Sequence, residues 1–265
     1  MKLSISNIGW ESVADEYMYN LAKEEGFSGI EIAPTRIFPE APYQQIKAAK
    51  EWADKLYAAY QLTVPSMQSI WYGRTEKLFG SEEERKALLA YTKQAVDFAE
   101  VLSCRNLVFG CPKNRIIEDN AERPTAVAFF RELAEYAGEH GVVIGMEANP
   151  AIYGTNYINT THEALDLLAE VDRPAFRLNL DLGTMIQNKE SAAVLRGKVK
   201  YISHVHVSEP FLKPIEKRDL HRAAADILRE EKYPGFISLE MGKVEDLSLF
   251  RQAVIYVKEV FGTDE

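Results

Sequence analysis

No apolar run in this 265-residue chain is long enough to span a bilayer, which excludes a helical membrane protein. Cysteine is scarce. Cys104 and Cys111 make neither a disulfide framework nor a metal spacing, and they fit a reducing compartment as plain core or loop residues. Positive charge is in deficit, with 31 Lys and Arg against 40 Asp and Glu and a net charge of -9, so binding to nucleic acid or an anionic membrane is not expected. The N-terminus enters a strand-like segment at once and has neither the apolar core nor the cleavage site of a signal peptide, so a cytoplasmic location is expected. A Pro/Gly-rich linker and a low-complexity tract are missing, and one domain over residues 1–265 is expected. The glycine fingerprint of a dinucleotide-binding turn is missing after the first strand-like segment, which disfavours an open doubly wound sheet.

What is present is a β-α alternation repeated eight times. Strands are predicted at residues 2–8, 29–34, 63–70, 106–110, 142–149, 176–183, 201–209 and 235–242. Helices are predicted at 13–25, 43–60, 82–103, 124–139, 162–169, 191–196, 219–231 and 247–260. Strict alternation argues a parallel sheet with right-handed crossovers. Eight repeats in this length fit an α/β fold of the single (β/α)8 barrel type.

In such a barrel the C-terminal strand ends share one mouth. The run Tyr201-Ile202-Ser203-His204-Val205-His206-Val207-Ser208-Glu209 puts His204 and His206 on one strand face. Three more predicted strands carry an acid at a comparable point: Glu147, Asp181 and Glu240. By alternation Glu147 shares its face with Gly145 and Asn149, Asp181 with Asn179 and Gly183, and Glu240 with Ser238 and Gly242; these neighbours are read as small residues that leave room. Structural caps or ion pairs would explain any one acid alone. Four groups at one end of consecutive strands suit a shared divalent cation, which removes the cost of burying several carboxylates together. Three carboxylates and an imidazole favour Mn2+, with Mg2+, Co2+ and Zn2+ as alternatives.

These residues resemble the metal ligands of the xylose isomerase-like TIM-barrel superfamily of sugar isomerases and epimerases. The pieces that carry the resemblance are Met146-Glu147-Ala148-Asn149-Pro150, Leu180-Asp181-Leu182-Gly183, His204-Val205-His206-Val207 and Tyr233-Pro234-Gly235-Phe236-Ile237-Ser238-Leu239-Glu240-Met241. The resemblance implies Glu147, Asp181, His206 and Glu240 as ligands. It also implies proton transfer next to a carbonyl through a metal-stabilised enediolate, with Glu147 and Glu240 as the acid–base pair. Two positions depart from the ketose 3-epimerases of this group: Thr184 stands where they carry a histidine, and no arginine follows His206 closely. Both departures count against simple epimerisation of a free ketose.

Further residues are expected around the mouth. Gln68, Glu31 and Asn149 are candidates to bond substrate hydroxyls, and Trp71 offers a ring face for sugar C–H groups, against the plainer reading of rim packing. Arg36, Lys113, Arg115 and Lys213 fall in loops after strands and invite an anionic sugar phosphate or sugar acid, unless they are solvated loop charges. His204 and Glu209 are carried as substrate-side candidates, His204 being read also as a residue behind the ligands or a barrel filler. Tyr153, Asn156 and His221 are weaker candidates for the same mouth. The leading expectation is a metal-dependent isomerase or epimerase of a small carbohydrate, with room for a homo-oligomer. The alternatives are a lyase acting on a keto-inositol or keto-sugar acid, a non-catalytic sugar-binding protein, and a repair endonuclease.

Overall fold

Side-chain alternation along eight short strands decides both what fills this molecule and where its polar groups collect. The computed structural model describes residues 1–119 and 122–262; the remaining residues of the expected 1–265 domain lie outside the described ones. The chain runs β1 (Lys2–Ser6), α1 (Asp15–Glu24), β2 (Gly29–Glu31), α2 (Pro34–Ile37), α3 (Ile46–Tyr60), β3 (Ser66–Met67) and α4 (Glu82–Val101). It continues through β4 (Asn106–Phe109), α5 (Arg123–Glu139), β5 (Val143–Glu147), α6 (Thr161–Val171), β6 (Phe176–Asp181) and α7 (Leu182–Asn188). It ends with β7 (Ile202–Val207), α8 (Asp219–Glu230), β8 (Phe236–Leu239) and α9 (Leu247–Phe261). The strands form one parallel sheet in the order β2-β1-β8-β7-β6-β5-β4-β3. Isolated bridges Gly29↔Thr63 and Ile32↔Met67 join its two edges, so the sheet is a nearly closed (β/α)8 barrel.

Outward strand residues such as Ile5, Leu107, Ile144, Leu180, Val205 and Ile237 are buried beneath the helices. The inward set differs from the Val, Ile and Leu layers that usually fill such barrels. Here it includes Ser4, Ser6, Asn106, Asn179, His204 and Ser238, all buried and polar. Three of them pair with one another and the rest with polar neighbours: Ser238 Oγ lies 2.5 Å from Ser4 Oγ and 2.8 Å from His204 Nε2, Asn106 donates to Ser66 Oγ at 3.0 Å, Ser6 accepts from Gln68 and Asn179 donates to Glu147. Pairing of most of these interior polar groups lets the site sink below the rim at low cost, while Asn106 Oδ1, Asn179 Oδ1 and Asn7 Nδ2 have no protein partner.

Two helices are fixed at their starts by capping boxes. Ser81 and Glu84 close a reciprocal capping box on α4, and Thr160 and Glu163 do the same on α6. Three expectations shift. The third strand is two residues, not eight, because Pro65 has no N–H to pair and Ser69 turns left-handed at φ 55. The sixth ends at Asp181, whose carboxylate caps α7 at once. The helix expected at 191–196 is a 3-10 turn, Ala192–Leu195.

His221 does not line the mouth. It is buried between α8 and α9, with Nδ1 3.2 Å from the Tyr256 hydroxyl. Burial, assisted by the charge of Arg218, holds its pKa down to about 4. An unfolded histidine titrates near ~6.5, so below that pH the unfolded chain takes a proton that the folded chain refuses. The contribution to stability is therefore complete above that pH and is lost as pH falls toward 4, on the order of 2–3 kcal/mol. We expect the unfolding free energy of the wild type, minus that of His221→Phe, to fall over this window in urea titrations. A flat difference contradicts it.

Candidate metal centre

The four residues singled out from strand ends come together. His206 sits on β7 with its ring fully buried, and its Nδ1 is 2.9 Å from Glu147 Oε1 and 3.2 Å from Glu240 Oε2. Asp181, His206 and Glu240 each present a ligand atom within 4.8 Å of the others. Strand register makes this happen: Asp181 lies opposite His206, and His206 opposite Ser238, two residues below Glu240. Glu240 then continues the ladder by donating its N–H to Val207 O at 3.0 Å.

Each carboxylate has its own supports. Asn179 donates to Glu147 Oε1 at 2.8 Å, and Asn149 to Glu147 Oε2 at 2.9 Å. Asp181 accepts from Thr184 Oγ1 at 2.6 Å, from the Thr184 N–H at 2.8 Å and from the Ser208 hydroxyl. Asn149 and Asn179 therefore orient Glu147, where the sequence suggested space beside the acid and, for Asn149, a substrate contact. Gly110 faces the same carboxylate; a Cβ there would meet Glu147 Oε2 at 2.7 Å. Ser208 and Thr184 were not read from the sequence as partners of Asp181, although Ser208 shares the inward face with His206 and Thr184 falls in the first turn after Asp181.

The electrostatics is that of crowded acids around one ring. Burial pushes the Asp181 carboxyl above its ordinary value, and neighbouring Glu147 adds to this. Burial alone would lower the His206 pKa, but the charges of Glu240 and Glu31, with hydrogen bonds to Glu147 and Glu240, outweigh it and hold it well above its ordinary value. Burial likewise opposes ionisation of Glu31, yet His206 and His204 hold its pKa at about 2. His204 is held down at about 4 by burial, against the pull of Glu31. No lysine or arginine side chain among the described residues bonds the carboxylates of Glu147, Asp181 or Glu240. Ionised carboxylates only accept; the His206 ring, Asn149, Asn179, Thr184 and Ser208 donate to them here, and a divalent cation would fit the same convergence. The spacing agrees: adjacent ligands around an octahedral ion with bonds of about 2.1 Å stand about 3 Å apart.

Other expected contacts lie elsewhere. Arg36 is bound to Asp15 at 2.6 Å and to Trp10 O at 3.2 Å, so its charge is spent on the β1 and β2 loops. Arg115 is fully buried and donates to backbone carbonyls of Gly110, Glu147, Tyr157 and Ile158 and to Asn149 Oδ1, facing no ligand space. Trp71 is buried against Phe109 and Phe129 with its N–H on Thr92, which removes it as a sugar platform. Glu209 is held by Arg218 at 2.6 Å. Gln68 is buried on Ser6 and Glu31, and Glu31 lies behind His206 rather than in the mouth. His204 is buried on Ser238. Lys113 and Lys213 remain exposed loop residues. Asn156 ties its side chain to the backbone of Ile117. Tyr153 does stand near the cluster: burial pushes its pKa up to about 12, with Asp181, Glu240 and Glu147 contributing. Its hydroxyl accepts from the Phe211 N–H at 2.8 Å, joining the loops after β5 and β7. A recess of about 780 Å³ opens at the opposite end of the barrel, lined by Lys2, Arg105, Arg177, His204 and Phe236 among others, and touches none of the three carboxylates.

Comparison with known proteins gives the same picture of the fold. A family model described as xylose isomerase-like TIM barrel matches residues 19–259. An L-ribulose 3-epimerase of Methylomonas sp. (strain DH-1) is 31% identical over 132 residues, or 49% of this chain; the match spans 44% of that relative's length. A D-psicose 3-epimerase from Clostridium cellulolyticum H10, solved with D-tagatose, superposes with a TM-score of 0.80 at 19% identity, covering 99% of this chain and 100% of its own. The 3-keto-D-glucoside 4-epimerase of E. coli superposes with a TM-score of 0.76 at 19% identity, covering 98% and 99%.

Proposed function

This chain belongs to the xylose isomerase-like TIM barrel family, and we propose that it is a divalent-metal-dependent epimerase or isomerase of a neutral keto-sugar. The observation that carries the reading is the convergence of Glu147, Asp181 and Glu240 on the buried ring of His206. The epimerase names of the relatives support the substrate class. A neutral substrate is favoured because, of the four cations expected to grip an anion, Arg36 and Arg115 are bound within the protein and Lys113 and Lys213 stand on exposed loops.

Glu147, Asp181, His206 and Glu240 would hold the ion, with Mn2+ favoured by the oxygen-rich set. Bound there, it supplies Lewis-acid polarisation of a carbonyl and its neighbouring hydroxyl. Asp181 is pinned by α7 and Ser208, which suits a ligand that does not move. Glu147 and Glu240 reach the site from β5 and from the end of β8, on either side of β7 and β6 in the sheet. One takes the proton from the carbon beside the carbonyl and the other returns it. Asn149 and Asn179 hold both Glu147 oxygens, so the geometry of that transfer is fixed before substrate arrives. Tyr153 keeps its proton at neutral pH and offers a hydroxyl donor at the rim.

The test is incubation of the Mn2+-supplemented protein with a panel of ketoses and keto-glycosides in deuterated water. The expected product carries deuterium next to the carbonyl with no loss of water. Loss of water turns the assignment to a lyase, and an absence of wash-in across the panel contradicts it.

A further inference from the structure

We propose that Glu31 is a positioning residue: it holds the His206 ring in the form that carries its proton on Nε2, so that the Nδ1 lone pair faces Glu147, Asp181 and Glu240. The inference rests on the reading that those four groups bind a cation. Glu31 stands on β2 and reaches across the barrel interior to β7, and neither side chain is exposed. Glu31 Oε1 lies 3.0 Å from His206 Nε2. An ionised carboxylate only accepts, so Nε2 donates. Nδ1 faces Glu147 Oε1 at 2.9 Å and Glu240 Oε2 at 3.2 Å, so without a cation it too would donate; a cation bound among those carboxylates would take the Nδ1 lone pair, and the single ring proton would then be the one Glu31 accepts from Nε2.

Glu31 is itself held. Its Oε2 accepts from Gln68 Nε2 at 3.3 Å, and Gln68 Nε2 also donates to Ser6 Oγ at 2.7 Å. His204 Nε2 approaches Glu31 Oε1 at 3.4 Å while bonded to Ser238. The carboxylate thus has contacts from Gln68, just past β3, and from both histidines of β7, and cannot swing away from the ring without leaving buried donors unmatched. A carboxylate behind a ligating imidazole both fixes the tautomer and raises ligand basicity. The rival arrangement makes Glu31, His204 and His206 ligands of a second ion, since their ligand atoms also lie within 4.8 Å of one another. That arrangement needs Nε2 without a proton, and the two are separable.

The experiment compares wild type, Glu31→Leu and Glu31→Gln by equilibrium dialysis against Mn2+, together with ring 15N shifts of His206 in the wild-type Mg2+-loaded protein. We expect one Mn2+ per wild-type chain and a loss of affinity of about 10- to 100-fold in Glu31→Leu. Glu31→Gln, whose amide oxygen still accepts from Nε2–H, should keep most of the affinity. The spectra should place the proton on Nε2. Wild-type affinity in Glu31→Leu, a Gln variant as weak as the Leu variant, or a proton on Nδ1 overturns the proposal. A second Mn2+ site abolished in Glu31→Leu makes Glu31 a ligand and overturns it too. A wild type that binds no Mn2+ removes the metal reading itself, an outcome distinct from all of these. If Glu31→Leu does not fold, the Gln variant and the wild-type spectra decide.

Discussion

Glu147→Gln and Glu240→Gln should each lower kcat by about 10²- to 10⁴-fold, the range associated with losing a positioned proton-transfer group. Glutamine keeps one oxygen for a cation and nearly the same shape, but it cannot accept the proton. Fold should survive in both. At position 147 one of the two asparagine donors, Asn149 or Asn179, would face the new amide NH2, a mismatch of about 1–3 kcal/mol that relief of buried negative charge offsets in part. At position 240 the change weakens one partner of a buried ring that retains Glu31 and Glu147. Turnover and deuterium wash-in report the effect, with circular dichroism to confirm folding. If both variants stay active, the acid–base roles are wrong. If one alone is silent, a single base serves and the two-glutamate scheme fails.

Arg115→Met should produce the largest loss of stability, about 3–5 kcal/mol, typical of breaking a buried charged hydrogen-bond network. The guanidinium is fully buried, and burial lowers its pKa to about 10. It bonds no carboxylate. Instead its fork gathers carbonyls from Gly110, Glu147, Tyr157 and Ile158, plus Asn149 Oδ1 at 2.7 Å. Methionine fills much of the volume and leaves these acceptors unmatched. Asn149 then loses the partner that turns its amide toward Glu147, so activity should fall along with stability. Arg115→Lys should recover only part, because an ammonium cannot make the planar fork. A urea midpoint for Arg115→Met within error of the wild type would contradict this account.

The barrel and its four converging groups were legible because both depend on period-two alternation and on the shared mouth of a parallel barrel. Glu147, Asp181, His206 and Glu240 needed no knowledge of loops. Loop residues were another matter. Trp71 follows Ser69, whose left-handed backbone breaks the alternation and sends the indole into the packing under α4 and α5. Arg115 follows Cys111, also left-handed, and a 3-10 turn at Pro112–Asn114 that folds the guanidinium back into the protein. Sequence gave each the look of a rim residue, and local backbone reversals decided otherwise. Glu31 was visible as an acid in mid-strand, but its partner lies 175 residues away across the barrel, a pairing that only closure of the sheet creates.

Crystals of the protein soaked in Mn2+ and measured at the manganese absorption edge address the central claim most directly. The account predicts one anomalous peak bounded by Glu147, Asp181, Glu240 and Nδ1 of His206. An ion seated elsewhere in the barrel, or an empty map at that point under saturating Mn2+, would contradict it.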